Sequence, residues 1–213
     1  MNDLANVILS LVLLSLLFCL GSSRLVALVY IMSFQGFVVS LLPLFLSEKI
    51  TIGNVTFVLL TILIKGILIP IFIYFAVKKV IVKKELEPII GYHASIFSGL
   101  LIIVVSTLIS DKFNLPVNHS NLLLLPTAIT TISSGIFLLM ARRKAITQVI
   151  GYLMMENGIY LVGITLTNHN HYIVEFGVLL DILVGIMIMG IILHNINRTF
   201  EDVDTNLLRT LKD

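Results

Sequence analysis

Seven apolar runs, each long enough to cross a lipid bilayer as a helix, divide this chain almost end to end. They lie at about 5–20, 25–46, 53–77, 89–110, 122–141, 146–167 and 172–195, bounded by polar residues or glycine. About 20 helical residues span the hydrocarbon core of a membrane. Inside that core the backbone must satisfy its own hydrogen bonds, which leaves only helices and closed barrels. Barrel strands alternate polar and apolar residues, and these runs do not. The expectation is an all-α polytopic membrane protein, with about seven transmembrane helices over residues 1–198. Composition agrees: 58% of the 213 residues are hydrophobic and 12% charged, against about 25% charged in an ordinary soluble domain. The first run follows Met1-Asn2-Asp3 with no Lys or Arg. It lacks the charged start of a signal peptide and is expected to be a retained helix.

Charge placement sets the expected orientation. If seven helices cross, the first, third and fifth loops share a side with the C-terminal tail. That side holds Arg24, Lys78, Lys79, Lys83, Lys84, Arg142, Arg143, Lys144, Arg198, Arg209 and Lys212, while the other holds Lys49 and Lys112. Eleven against two is a strong positive-inside bias, placing the N-terminus outside and the C-terminus in the cytoplasm. The net charge of +2 is too small to point to nucleic acid. In the tail, residues 199–213, Phe200, Val203, Leu207, Leu208 and Leu211 recur at helical spacing. Thr199 and the acidic Glu201, Asp202 and Asp204 suit the start of a helix, and Arg209 and Lys212 suit its end. A short amphipathic cytoplasmic helix is expected, its apolar face meeting either a partner subunit or lipid. Cys19 is the only cysteine, so no self-contained iron–sulfur cluster or thiolate-bound nickel or zinc centre is expected in this chain.

Three ionisable residues fall inside the runs. Lys65, Glu156 and Asp181 sit near the centres of the third, sixth and seventh, about 12–18 Å from either end at 1.5 Å per residue. A charge there costs about 2.5–3.5 kcal/mol on the insertion scale, and such residues usually face the bundle interior, pair with one another and mark ion pathways. They are either interhelical ties or a proton relay lying in one layer, and three at a common depth favour the relay. Pro70 cannot donate to the carbonyl of Gly66, so Gly66 and Pro70 form a candidate hinge beside Lys65. The freed carbonyl is expected to accept a bond from water or the Lys65 ammonium.

The other polar positions are accessory candidates. Gln35 reads as an interhelical hydrogen bond, and Asn157 adjoins Glu156. Glu175 lies six residues before Asp181, on a different face, where a solvated carboxylate or a proton port fits. His93 and His194 fall near the cytoplasmic ends of the fourth and seventh runs, as interfacial anchors or on a proton path. Cys19 reads as packing.

The stretch from Arg142-Arg143-Lys144 through Gln148, Gly151 and Tyr152 to Glu156-Asn157-Gly158, followed by the run centred on Asp181, resembles component E of hydrogenase-4, the formate-hydrogenlyase type. The Lys65–Pro70 element and Asp204-Thr205-Asn206-Leu207-Leu208 extend the likeness over nearly the whole chain. The last three runs, and residues 142–198 most of all, also resemble the small K-type subunit of respiratory complex I and the C-type subunit of multisubunit cation/proton antiporters. In those subunits carboxylates sit on successive helices after a double-Arg loop. Asp181 matches the second position; at the first this chain has Leu153, with Glu156 three residues on. The resemblance implies a non-catalytic membrane-arm subunit of a nickel–iron hydrogenase complex in the inner membrane of a prokaryote. It further implies that proton translocation runs through Lys65, Glu156 and Asp181. The implied partners are antiporter-like membrane subunits and a hydrophilic hydrogenase arm, which would carry the nickel–iron and iron–sulfur cofactors. Two readings stand beside it: a subunit of a cation/proton antiporter with no redox partner, and a structural scaffold.

Overall fold

The computed structural model describes residues 2–46, 52–79, 88–112 and 123–166, with the helical Gly185 and Gly190 beyond them. The described residues are all-helical, with no strand. In order they form α1 (Asn2–Gly21), α2 (Leu25–Leu46), α3 (Ile52–Thr61), a π-helical segment (Ile62–Leu68), α4 (Ile69–Lys79), α5 (Tyr92–Ser110), α6 (Leu124–Ala141) and α7 (Ala145–Leu166). The third apolar run is thus one unbroken helical stretch, 52–79, whose middle winds as a π-helix. Five stretches are long and apolar enough to cross a membrane: Asp3–Gly21, Leu25–Leu46, Val58–Lys78, Tyr92–Ser110 and Leu124–Ala141. α7 has 22 residues, the length of a span, but is not among these five. The expected seventh helix at 172–195, the amphipathic tail, Asp181, Glu175 and His194 lie outside the described residues.

Local chemistry sets the boundaries. α5 begins at Tyr92 rather than near residue 89, because the Ile89 N–H donates to the carbonyl of Ala141 at 3.0 Å and holds that stretch against the end of α6. Gly91 then turns the chain with extended geometry (φ −58°, ψ 155°). The Ser95 hydroxyl donates to the Gly91 carbonyl at 2.9 Å. α6 stops at Ala141 because Arg142 goes extended. α7 resumes with the Gln148 N–H on the carbonyl of Lys144 and the Gln148 amide on that of Arg142.

Arg142 gathers one end of the bundle. Its guanidinium donates to the carbonyl of Leu20, at the end of α1, at 2.7 Å, and to that of Ile90, just before α5, at 3.4 Å. The same group lies over the Tyr92 ring, 4.4 Å from its centroid. The end of α1, the start of α5 and the α6–α7 connection therefore meet, as alternately directed helices require. Arg142 is 1% exposed. It counts among the loop charges in the sequence, yet it is folded in as a clamp, while its neighbour Arg143 is exposed. A cation at a helix C-terminus satisfies carbonyls that have no partner within the helix.

α6 and α7 pack backbone to backbone. A Cβ on Gly135 would stand 2.5 Å from the Met155 nitrogen and 2.7 Å from the Gly151 oxygen. One on Gly158 would stand 2.6 Å from the Ile132 nitrogen. Only residues without a side chain let two helices approach this closely, a common solution where lipid supplies no hydrophobic drive between helices. On the outside, α1 (Leu4, Leu14, Phe18), the 52–79 stretch (Leu59, Leu63, Phe72, Phe75) and α5 (Phe97, Leu101, Leu108) expose large apolar side chains. Such a surface suits a bilayer and would be unsuited to water.

A buried ion pair on a π-helix

Lys65 and Glu156 meet. The Lys65 ammonium donates to Oε1 of Glu156 as a buried ion pair between the π-helical segment and α7. The two residues are 7% and 2% exposed. Glu156 lies eleven residues beyond the start of α7, about 16 Å from that end. The pair is therefore deep in the span, where separating the charges would cost several kcal/mol.

Several features hold Lys65 at this point. The π-helix places its hydrogen bonds from i+5 to i, as in the Ile69 N–H on the carbonyl of Ile64. The extra residue per turn rotates the side chains out of the α register, and such bulges are frequent at functional sites. Pro70, second residue of α4, lines the small cavity beside the pair. The Gly66 carbonyl, which Pro70 cannot satisfy, accepts the Ser33 hydroxyl of α2 at 2.8 Å. This corrects the expectation of a water or ammonium partner: α2 packs against the π segment at this level and brings Ser33 within reach. Gly36, one turn further along α2, allows the contact. A Cβ there would meet the Lys65 carbonyl oxygen at 2.9 Å.

The second carboxylate oxygen is different. Glu156 Oε2 has no hydrogen-bond partner among the described residues, nor have Asn157 Nδ2 and Gln35 Nε2. All three residues are at most 2% exposed. For Gln35, expected to bond across helices, the amide nitrogen has no partner among the described residues. Glu156, Asn157, Lys65 and Gly36 line a cavity of about 10 Å³ whose other walls are Val29, Met32, Ile69, Pro70, Ile73 and Leu153. That volume is the lower limit for one water molecule. Buried polar atoms are normally satisfied by protein or by ordered water; the cavity wall is mostly apolar, with Lys65, Glu156 and Asn157 as its polar members.

The sequence reading missed Tyr160. It lies one turn beyond Glu156 on α7, is 6% exposed, and its ring faces the Lys65 ammonium with the centroid 5.3 Å from Nζ. The i, i+4 spacing from Glu156 was the available signal. His93 is not part of this group: it is exposed near the start of α5, at the Arg142 end of the bundle. Cys19 is buried in the apolar cluster with Leu16, Leu20, Leu138 and Ile150. Among the described residues no group of His, Cys, Asp and Glu could hold a metal ion.

Against known proteins, the chain is 24% identical over 169 residues to hydrogenase-4 component E of Escherichia coli K12, covering 79% of this chain and 76% of that protein. Component E of Shigella flexneri gives the same figures. An 88-residue stretch, 41% of this chain, is 34% identical to an uncharacterized protein of Mycobacterium tuberculosis and spans 40% of it. No protein-family model and no solved structure matches the chain. The chain is thus distantly similar to hydrogenase-4 component E over most of its length, and its apolar helices fit a membrane-arm subunit.

Proposed function

We propose that the chain is a membrane-arm subunit of a hydrogenase-4-type, formate-hydrogenlyase-like energy-converting complex, and that its buried ionisable groups carry protons within that arm. The observation that carries this reading is the Lys65–Glu156 pair: a buried carboxylate held by a lysine through one oxygen, with no partner for the other oxygen among the described residues and a small cavity beside it. A proton arriving through that cavity adds to Oε2 and neutralises Glu156. The pairing with Lys65 then lapses, and it re-forms when the proton leaves. Asp181 would continue the relay in the last helix, as the likeness to K-type and antiporter C-type subunits suggests. Antiporter-like subunits and a hydrophilic hydrogenase arm are the proposed partners, with nickel–iron and iron–sulfur centres in the latter. The membrane is proposed to be the inner membrane of a prokaryote, with the C-terminus in the cytoplasm.

The test is Glu156→Gln in the complete complex, with Asp181→Asn in parallel. Both keep side-chain size and hydrogen bonding while removing titration. Assembly is expected to survive, as is hydrogenase turnover with an artificial electron carrier, and coupled ion translocation is expected to fall steeply. Normal translocation in a fully assembled Glu156→Gln complex would leave the pair as a structural tie. A purified assembly without a hydrogenase arm would favour the antiporter reading instead.

A further inference from the structure

We infer that Ser33 is a positioning residue for the Lys65–Glu156 pair: its hydroxyl pins the π-helical turn at Gly66 and so fixes the direction in which Lys65 leaves the helix. For its effect on transport this rests on the relay reading above, and it adds to that reading an uncharged residue of α2. The starting point is the supply of main-chain donors. Within the wide turns each N–H reaches the carbonyl five residues earlier, as Ile69 reaches Ile64. The next bond of that kind would run from Pro70 to Lys65, and Pro70 has no N–H. The α-helical alternative, from Pro70 to Gly66, fails for the same reason. The wide turns accordingly close at Leu68, and α4 begins at Ile69.

A return from five-residue to four-residue bonding leaves one carbonyl more than there are N–H groups to meet it, and the missing donor of Pro70 adds to that surplus. The surplus marks where the junction lies. Here the Gly66 carbonyl accepts the Ser33 hydroxyl at 2.8 Å, so α2 supplies the donor that the helix itself lacks. Were the wide turns centred elsewhere in 52–79, the surplus carbonyl would fall at another residue, out of reach of Ser33. The bond therefore selects this location. Lys65 is the residue directly before the pinned carbonyl. Shifting the surplus residue past it would turn its side chain by about 100°, one residue's step of an α-helix, and carry the ammonium away from Glu156. α2 is braced at the same level: Gly36, one turn after Ser33, lies so near that a Cβ on it would stand 2.9 Å from the Lys65 carbonyl oxygen. The hydroxyl is thus presented by a helix already in close contact with the π turn.

The experiment grades the donor at position 33 in the intact complex, in native membranes. A membrane-permeant carbodiimide joins a carboxyl group to an amine in direct contact, forming an amide and releasing the urea. The yield of Lys65–Glu156 amide per recovered complex, read by mass spectrometry, reports how often the pair is formed. Ser33→Thr keeps the hydroxyl and should match the wild type in this yield and in coupled translocation. In Ser33→Ala both should fall by about two- to tenfold, the equivalent of one intramolecular hydrogen bond. Ser33→Cys, a weaker donor of similar shape, should fall between them. Hydrogenase turnover with an artificial carrier should stay level throughout. A serine that served only folding would lower recovery of the complex and leave the yield per complex unchanged. A yield in Ser33→Ala equal to wild type, or Ser33→Thr as impaired as Ser33→Ala, would overturn the inference. If Ser33→Ala does not assemble, the comparison rests on Ser33→Cys, and a yield there equal to wild type overturns it. Glu156→Gln separates the two ideas: normal translocation in that variant removes the relay, whereas a flat cross-linking series removes only the role of Ser33.

Discussion

Adding one methyl group at Gly36 should act on the ion pair from behind. In Gly36→Ala the new Cβ would stand 2.9 Å from the Lys65 carbonyl oxygen, 3.3 Å from its carbonyl carbon and 3.4 Å from its Cβ. The first distance is about 0.5 Å inside ordinary contact, and the obstructing atom belongs to the backbone of the π-helix, so no side chain can rotate away. Overpacking of this kind costs about 1–3 kcal/mol. Alanine returns about 0.8–1 kcal/mol in helix propensity over glycine. The net expectation is a loss of up to about 2 kcal/mol, which lowers the midpoint of thermal unfolding by up to about 8 °C in a chain of this size. The control lies on the opposite side of the same interface. A Cβ on Gly66 meets nothing nearer than Phe37 Cβ at 3.6 Å, so Gly66→Ala should be neutral or slightly stabilising. Both variants would be heated in mild detergent and the folded fraction read by size-exclusion chromatography. A Gly36→Ala midpoint at or above wild type, or a larger loss in Gly66→Ala, would refute the close approach of α2 to Lys65.

Two more outcomes follow from the packing. Glu156→Leu removes the carboxylate of the ion pair and should lower the thermal midpoint, while Glu156→Gln, which keeps an acceptor for the lysine, should lower it less; equal midpoints for the two variants would contradict the pairing. Arg142→Ala strands the carbonyls of Leu20 and Ile90 and should cost about 2–4 kcal/mol, whereas Arg143→Ala, exposed next to it, should stay within about 0.5 kcal/mol, the comparison again being made on unfolding midpoints in detergent.

Apolar patterning was enough to read the helical character and the approximate extent of the first six runs, because each is a predominantly apolar block between polar residues. The same reasoning placed Lys65 and Glu156 at one depth, and cost alone suggested that they would meet. The π-helix was not legible. Ile62-Leu63-Ile64-Lys65-Gly66-Ile67-Leu68 is apolar on every side but one, so an added residue per turn leaves no phase change to detect. The Ser33–Gly66 bond was hidden for a related reason. Pro70 reveals which carbonyl is freed, but the donor to it is the Ser33 hydroxyl, 33 positions before Gly66, which only the packing of α2 brings near. The burial of Arg142 was not legible, because composition cannot separate a buried basic residue from its less buried neighbours Arg143 and Lys144. Its burial depends on carbonyls contributed by two distant helix ends.

The glycine contact between α6 and α7 also determines which partner of the ion pair can travel. With Gly135, Gly151 and Gly158 bringing backbone against backbone, neither helix can slide or rotate past the other without the collision of main-chain atoms, so Glu156 and Tyr160 share the fixed frame of two helices. Lys65 rides on a stretch with one surplus residue per turn and a missing donor at Pro70. A surplus residue can be passed along a helix from one turn to the next, turning the side chains between the two locations while the helix ends stay in place. If the pair opens and closes as proposed, the displacement belongs to the lysine, and the carboxylate is the stationary post to which it returns.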